Sequence, residues 1–180
     1  MADSSTPEDD PSESSGPLRE IVSNYADGAD RPLGTYLGAM GVYAGVVGTL
    51  GLVIRQRHAP LPRRVEPWDV AVMALATHKL ARLIAKDPVT SPLRAPFTRF
   101  RGQSGPAELE EEVRGGPIRH GVGELVTCPF CLGQWVATGF AAGLVLAPRA
   151  TRLVASTFAA LAGADLLQFA YSGAEQAVQS

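Results

Sequence analysis

A run of 23 uncharged residues between Arg31 and Arg55 constrains the fold of this chain more than any other feature. The run, PLGTYLGAMGVYAGVVGTLGLVI, matches the roughly 20 apolar residues that a helix needs to cross a bilayer core. A chain of 180 residues has too little interior to hide such a helix in a soluble core. The sequence therefore predicts a transmembrane helix over residues 33–54.

The charges divide the chain into an acidic tail and a basic, apolar body. Residues 1–33 carry two basic and eight acidic side chains, a net charge of −6. Because the whole chain has a net charge of −2, the other 147 residues carry a net charge of +4. Residues 1–31 are rich in Ser, Pro, Asp and Glu, which predicts a disordered acidic tail without a cleavable signal peptide. We expect no nucleic-acid binding, because the basic residues lie between apolar runs.

Further apolar segments follow in the region 68–172. Helices are predicted at 128–147 and 153–171, which are both long enough for a span. A helix at 68–86 is apolar at first and then amphipathic, which suits a span, a re-entrant helix or an interfacial helix. Between them, residues 87–127 are expected to form a polar loop with a solvated acidic run or short exposed helix at 107–113. The predicted fold is an all-α membrane bundle of three to four helices.

Small residues mark the helix faces that are expected to pack. In lipid, such faces allow two helix backbones to approach closely, so they also predict a homo-oligomer. The residues concerned are four glycines spaced by three and four in the first span and one Gly-x-x-x-Gly pair in the 128–147 helix: Gly38, Gly41, Gly45, Gly48, Gly139 and Gly143.

Cys128 and Cys131, in GELVTCPFCLGQW, form the sharpest motif. Thr127 is expected to cap the helix, which places both thiols on one face of its first turn. The thiols can be small packing residues, or a redox dithiol whose thiolate the helix dipole stabilises. They can also belong to a zinc site, completed by His120 or by the cysteines of a second chain. The leading prediction includes no cofactor, and zinc is the alternative.

Asp165 interrupts an otherwise apolar helix. A carboxylate within a membrane needs a cationic partner or a proton, and the cations on the 68–86 helix are His78, Lys79 and Arg82. A pair between Asp165 and one of them would hold the two helices in register.

The bilayer is the first expected partner of such a chain. The piece PLRAPFTRFRG sets Arg94, Arg99 and Arg101 beside two phenylalanines, which suits an anionic headgroup region as well as it suits a solvated loop. Counting basic residues in the loops predicts a multi-pass plasma membrane protein whose Cys128 end and C-terminus face the cytoplasm.

At THKLARLIAKDPVTSPLRAPF and GELVTCPFCLGQW the chain resembles a bacterial family of small membrane proteins, domain of unknown function 1360, which includes a sporulation-associated protein. The resemblance covers residues 68–172 and implies that the 68–86 helix belongs to the membrane core. It assigns no catalytic role to the recurring positions, which correspond to Arg82, Asp87, Arg94, Glu124, Cys128, Cys131, Gly133 and Trp135.

The sequence contains no phosphate-binding loop, catalytic triad or paired catalytic carboxylates that would indicate a hydrolase or a kinase. We therefore expect a non-enzymatic membrane protein with a structural or assembly role. The alternative is a cytoplasm-facing Cys-x-x-Cys protein with a redox or zinc-binding function.

Overall fold

The computed structural model describes residues 33–179, which form helices and one β-hairpin. Thr35–Ser180 is one compact unit, and Met1–Gly34 is a second unit of which only Leu33 and Gly34 are described. The tail predicted at residues 1–31 lies outside the described residues. In chain order the elements are α1 (Leu33–Gln56), α2 (Pro67–Lys86), a 3-10 turn (Pro88–Thr90), α3 (Ser91–Arg94), β1 (Thr98–Gly105), β2 (Glu108–Val113), α4 (Pro117–Thr127), α5 (Pro129–Leu146) and α6 (Pro148–Gln179).

Three of these helices are long and apolar enough to cross a bilayer: α1 over Gly34–Gln56, α5 and α6. Their most apolar windows are 0%, 6% and 11% buried within the chain. Most residues of α1 and α6 are exposed, whereas α5 is partly covered by its neighbours. Helices that are apolar on nearly all sides and remain unburied by their own chain are typical of membrane spans. The sequence prediction of apolar helices of membrane length is confirmed.

α2 lies between α5 and α6 and makes its largest contacts with these two helices. Ala76 of α2, Phe140 of α5 and Ala155 of α6 form the buried core. Ala81 and Ala85 of α2 are also buried. Small side chains at these positions allow the helix backbones to approach closely.

Two ion pairs set the relative direction of α2 and α6. Asp69 pairs with Arg152 near the start of both helices, and ten residues further along α2 Lys79 pairs with Asp165. The two helices are therefore parallel. Because Ala147 alone separates α5 from α6, and these two helices pack against each other, α5 runs antiparallel to both.

Two tyrosines of α1 contact the rest of the unit. The Tyr36 hydroxyl donates to Glu124 Oε2 at 2.5 Å, and the Tyr43 hydroxyl lies 2.8 Å from Thr138 Oγ1. The Tyr43 ring also meets Trp135 edge to face, with 5.1 Å between ring centroids. Tyr36 lies opposite the residues just before α5 and Tyr43 opposite α5 itself, so α1 runs in the same direction as α5.

The segment at 87–127 differs from its prediction as a polar loop. It contains α4 and a β-hairpin in which β1 and β2 pair antiparallel, from Thr98↔Val113 to Gly105↔Glu108. The all-α prediction is therefore wrong here, as is the short helix expected at 107–113. In a helix Glu108 would lie one turn from Glu111 and Glu112, where like charges repel, whereas in the hairpin Glu112 stands opposite Arg99 and forms an ion pair with Arg101.

Candidate functional site

The β-hairpin, the Arg94 side chain and the two cysteines lie at one end of the bundle, where α2 ends, α4 ends and α5 begins. We call this region the polar end. Contacts of α4 with α2, α5 and β2, and of α2 with β2, join these elements there. This region contains the candidate residues Arg82, Asp87, Arg94, Arg99, Arg101, His120, Glu124, Cys128 and Cys131.

Arg94 is the most deeply buried charged residue among the described residues, with no exposed surface. Its Nη1 donates to Ile84 O at 2.6 Å and to Thr90 Oγ1 at 2.7 Å, and its Nη2 donates to Asp87 O at 3.0 Å. Its Nε pairs with the carboxylate of Glu111 on β2, which is also buried. A cation that binds the last carbonyls of α2 is favourable at the negative end of the helix dipole.

This Arg94 network contradicts the lipid contact predicted for Arg94 and shows how Asp87 contributes to the same turn. The interpretation of Arg94 as an anionic-lipid contact is wrong, because a fully buried guanidinium with four partners cannot reach a headgroup. Asp87 is part of the same turn: its Oδ1 accepts from Val89 N at 2.8 Å and caps the 3-10 turn. Asp87 and Arg94 therefore hold the connection between α2 and the hairpin in place.

The other two arginines of the expected lipid contact lie on β1. Arg99 is exposed and stands opposite Glu112 in the register, and Arg101 forms an ion pair with the same glutamate. A neighbouring carboxylate competes with a lipid phosphate for these guanidinium groups. Lipid binding at Arg99 and Arg101 stays a prediction.

The two cysteines lie at the junction of α4 and α5. Cys128, rather than the expected Thr127, is the N-cap residue of α5, and its Sγ accepts from Cys131 N at 3.2 Å. Thr127 instead ends α4, where its hydroxyl donates to Gly123 O at 2.8 Å. Both thiols are free, and the Cys131 thiol donates to Cys128 Sγ at 2.7 Å. The two sulfur atoms are therefore in direct contact.

Glu124 lies one turn before the cysteines and is close to two groups. His120 Nε2 lies 3.3 Å from Glu124 Oε1, and Tyr36 donates to Oε2. Within residues 33–179 no three His, Cys, Asp or Glu side chains are grouped closely enough to hold a metal ion. The structure therefore does not bring His120 together with Cys128 and Cys131 as three ligands of one chain, and a zinc site shared by two chains stays a prediction.

Among the cations considered as partners for Asp165, the structure selects Lys79. Lys79 Nζ lies 2.6 Å from Asp165 Oδ2. Arg82 forms an ion pair with Glu108 at the start of β2, and His78 is exposed. The expected link between the amphipathic helix and the last helix is thus present.

An open groove runs along the contact between α2 and α5. Its volume is 510 Å³, and apolar side chains form most of its wall. We call it the α2–α5 groove. It is lined by Val70, Met73, Ala74, Thr77, His78, Ala81, Arg82, Pro129, Phe130, Gly133 and Ala137.

The predicted packing glycines divide into two groups. A Cβ on Gly143 would lie 2.5 Å from Thr151 Oγ1, so this glycine permits the close approach of α5 and α6. Gly139 and the four glycines of α1 have nothing within 4 Å of a Cβ, so no described residue of the chain packs on them.

Sequence reasoning missed several residues that build this region. Gly121 and Gly123 of α4 leave no room for a side chain beside Thr35 and Val113, respectively. Glu108 and Glu111 are ion-pair partners in a segment that had been expected to be solvated. The Gly-x-Gly spacing in α4 was the one local signal, because glycine within a helix costs about 1 kcal/mol relative to alanine and needs a reason to be there.

Comparison with known proteins identifies a family and one named relative. A family model described as protein of unknown function (DUF1360) matches residues 72–171. The chain is 32% identical over 71 residues to the "Sporulation protein YjcA" of Bacillus subtilis (strain 168), a match that covers 38% of this chain and 60% of that protein. The match thus spans less than two thirds of the relative. No solved structure matches the chain.

Proposed function

This chain belongs to the DUF1360 family of unknown function, and on that premise we propose that it is a multi-pass integral membrane protein with a structural or assembly role and no enzymatic activity. The observation that carries this proposal is the length and apolar character of α1, α5 and α6, together with the small share of fully buried residues, at most 11%, in the most apolar window of each. In water the surfaces of such helices would associate without specificity. In a bilayer the same surfaces contact the acyl chains of the lipids.

The path of the chain supports four crossings rather than three. The start of α1 lies at the polar end, because Tyr36 donates a hydrogen bond to Glu124 there. The end of α2 and the hairpin lie at the same end, where Arg82 pairs with Glu108. If α1 crosses the bilayer away from the polar end, the chain must cross again to reach the hairpin. α2 is the segment that returns, and its 20 residues span about 30 Å, the thickness of the hydrocarbon core.

α2 is less apolar than the other long helices because it carries charged residues, and two of these residues form ion pairs. Lys79 and Arg82 interrupt its second half before Lys86 in the last turn, and each of these two pairs with a carboxylate from another element. A paired charge is far less costly in a membrane than an isolated one. A span in the centre of a bundle can therefore carry charges that would exclude it as a lone helix.

We place the polar end in the cytoplasm. With four crossings, eight basic residues lie on the side of the polar end or in the N-terminal tail, and six lie on the opposite side, around the loop at 57–66 and the turn before α6. Excess positive charge favours the cytoplasmic side. The Cys128 end and the C-terminus then share that side.

The assembly role rests on the face of α1 that points away from its own bundle. At 100° per residue, Gly45 lies about 180° around the helix from Tyr36, and the other stripe glycines lie near it. The tyrosine face contacts the bundle, whereas the glycine face has no neighbour among the described residues. We propose that this face packs against the same face of a second copy.

Fractionation of cells that express the full chain tests the membrane proposal. The chain should stay in the membrane pellet after extraction at alkaline pH and should be released by a mild detergent. Recovery of the folded chain in the soluble fraction without detergent would contradict the proposal.

A second candidate function is favoured by the 2.7 Å separation of the two sulfur atoms. Cys128 and Cys131 would then form a dithiol at the cytoplasmic membrane surface that closes to a disulfide when an oxidant accepts two electrons and the two thiols release their protons. The N-cap position of Cys128 supports this, because it holds both sulfur atoms together at the first turn of α5.

A further inference from the structure

The α2–α5 groove combines an apolar wall with a charged mouth. Met73, Ala74 and Ala137 belong to its apolar lining, and the volume of 510 Å³ lies within the usual range for binding sites of small molecules. Thr77, His78 and Arg82 line it on α2 towards the polar end. An occupant of such a groove has one apolar and one polar part.

Charges of both signs lie side by side at the polar end of the groove, because Arg82 lines it and Glu108 of β2 contacts Arg82. Arg82 is 44% exposed at its side chain and forms an ion pair with Glu108, which is 26% exposed. The guanidinium has five N–H donors, of which the Glu108 contact uses those of Nη2, so donors remain for a second acceptor. Pro129 and Phe130, in the first turn of α5, add the positive end of a helix dipole.

We propose that the α2–α5 groove binds a phospholipid with a phosphoethanolamine headgroup. The acyl chain lies along the apolar wall between α2 and α5. The phosphate accepts from Arg82 and His78 beside the start of α5, and the ammonium group donates to Glu108. This inference rests on the proposed function, because it requires α2 and α5 to lie in a bilayer.

The choice of headgroup follows from the arrangement of charges. A phosphoglycerol headgroup brings a phosphate but no cation, so it leaves Glu108 facing a second negative charge. A phosphocholine headgroup brings a cation without N–H donors, so it cannot form a hydrogen bond with Glu108. Phosphoethanolamine supplies both the acceptor for Arg82 and the donor for Glu108.

The test is the lipid selectivity of the detergent-solubilised full chain. The chain is incubated with equal amounts of phosphatidylethanolamine, phosphatidylglycerol and phosphatidylcholine that carry the same acyl chains, and bound lipid is counted by native mass spectrometry. Phosphatidylethanolamine should be retained about tenfold over either competitor, the ratio that one charge-assisted hydrogen bond provides.

Three variants locate the site. Glu108→Gln should abolish the preference for phosphatidylethanolamine over phosphatidylglycerol, whereas Glu110→Gln, the same change at an exposed position of β2, should leave it intact. Arg82→Gln should lower the retention of all lipids with a phosphate. Gly133→Leu should fill the groove and should also lower the retention of all three lipids. A Cβ at position 133 would lie 3.9 Å from Thr77, so the groove has room for the new side chain.

Equal retention of the three lipids by the native chain would overturn the proposal, as would a preference for phosphatidylglycerol. Equal selectivity of Glu108→Gln and Glu110→Gln would also overturn it, even if Arg82→Gln fails to fold. None of these lipid-binding results would contradict the proposed membrane location of the chain. Recovery of the chain in the soluble fraction instead contradicts the proposed function itself.

Discussion

Lys79 Nζ lies 2.6 Å from Asp165 Oδ2, and this ion pair joins the middle of α2 to α6. With Asp69 and Arg152 near the start of both helices, it fixes two parallel helices in one register. The pair also explains how a helix with several cations can take a central position in an apolar bundle.

Removal of either partner of this pair should destabilise the bundle more than removal of both. Lys79→Met or Asp165→Leu leaves one unpaired charge, which costs about 2.5–3.5 kcal/mol near the centre of a membrane helix. The double variant leaves no charge, so its unfolding midpoint in detergent should lie between those of the single variants and the native chain. Lys86→Met in the last turn of α2 serves as the control. A double variant that is less stable than both single variants would contradict a role of the pair in neutralising charge.

The Arg94 network should be the least tolerant part of the polar end. Arg94→Gln leaves Glu111 as an unpaired buried carboxylate and removes the cap of α2, which we expect to cost about 3–5 kcal/mol. Thermal unfolding in detergent and protease cleavage within the hairpin both measure this effect. The exposed Arg99→Gln should change stability by less than about 0.5 kcal/mol. Equal effects of the two substitutions would refute the structural role of Arg94.

The glycine face of α1 should control self-association. Gly41→Leu with Gly45→Leu places two bulky side chains where helix backbones would meet, so cross-linked dimers in detergent should be lost. Gly51→Leu makes the same change on the same helix but about 100° away from the centre of the stripe, and should leave the dimers intact. A dimer that survives the double substitution would show that this face is not the contact.

The dithiol should close reversibly if the second candidate function is correct. Mild oxidation should protect both Cys128 and Cys131 from alkylation, and a reductant should restore alkylation. Cys131→Ser should leave Cys128 unprotected by the same oxidant. Metal analysis of the reduced chain separates this result from zinc binding by paired chains, in which one zinc ion would be found per two chains. Thiols that are alkylated equally before and after oxidation, in a chain without metal, would leave only a packing role.

The helices could be predicted from the sequence because their signals are local. The uncharged runs before Arg55 and after Cys128 predict helices of membrane length, and the structure has α1 and α5 there. Asp165 likewise required a cation, and the spacing on the amphipathic helix limited its partner to three residues.

The hairpin could not be predicted because its stability is not local. Residues such as Glu111 acquire a reason to be in a strand only when Arg94, seventeen positions earlier, is buried against them. In the same way, Tyr36 and Glu124 meet across 88 positions. No periodicity within either segment indicates those contacts.

The sides of the membrane reached by two positions test the four-helix topology most directly. In intact cells a membrane-impermeant maleimide should label Val65→Cys in a Cys128→Ser, Cys131→Ser background, because the loop between α1 and α2 lies outside. The native Cys128 and Cys131 should be labelled only after the cells are opened. Labelling of Val65→Cys and of the native cysteines from the same side would show that α2 does not cross the bilayer and would contradict the topology proposed for this chain.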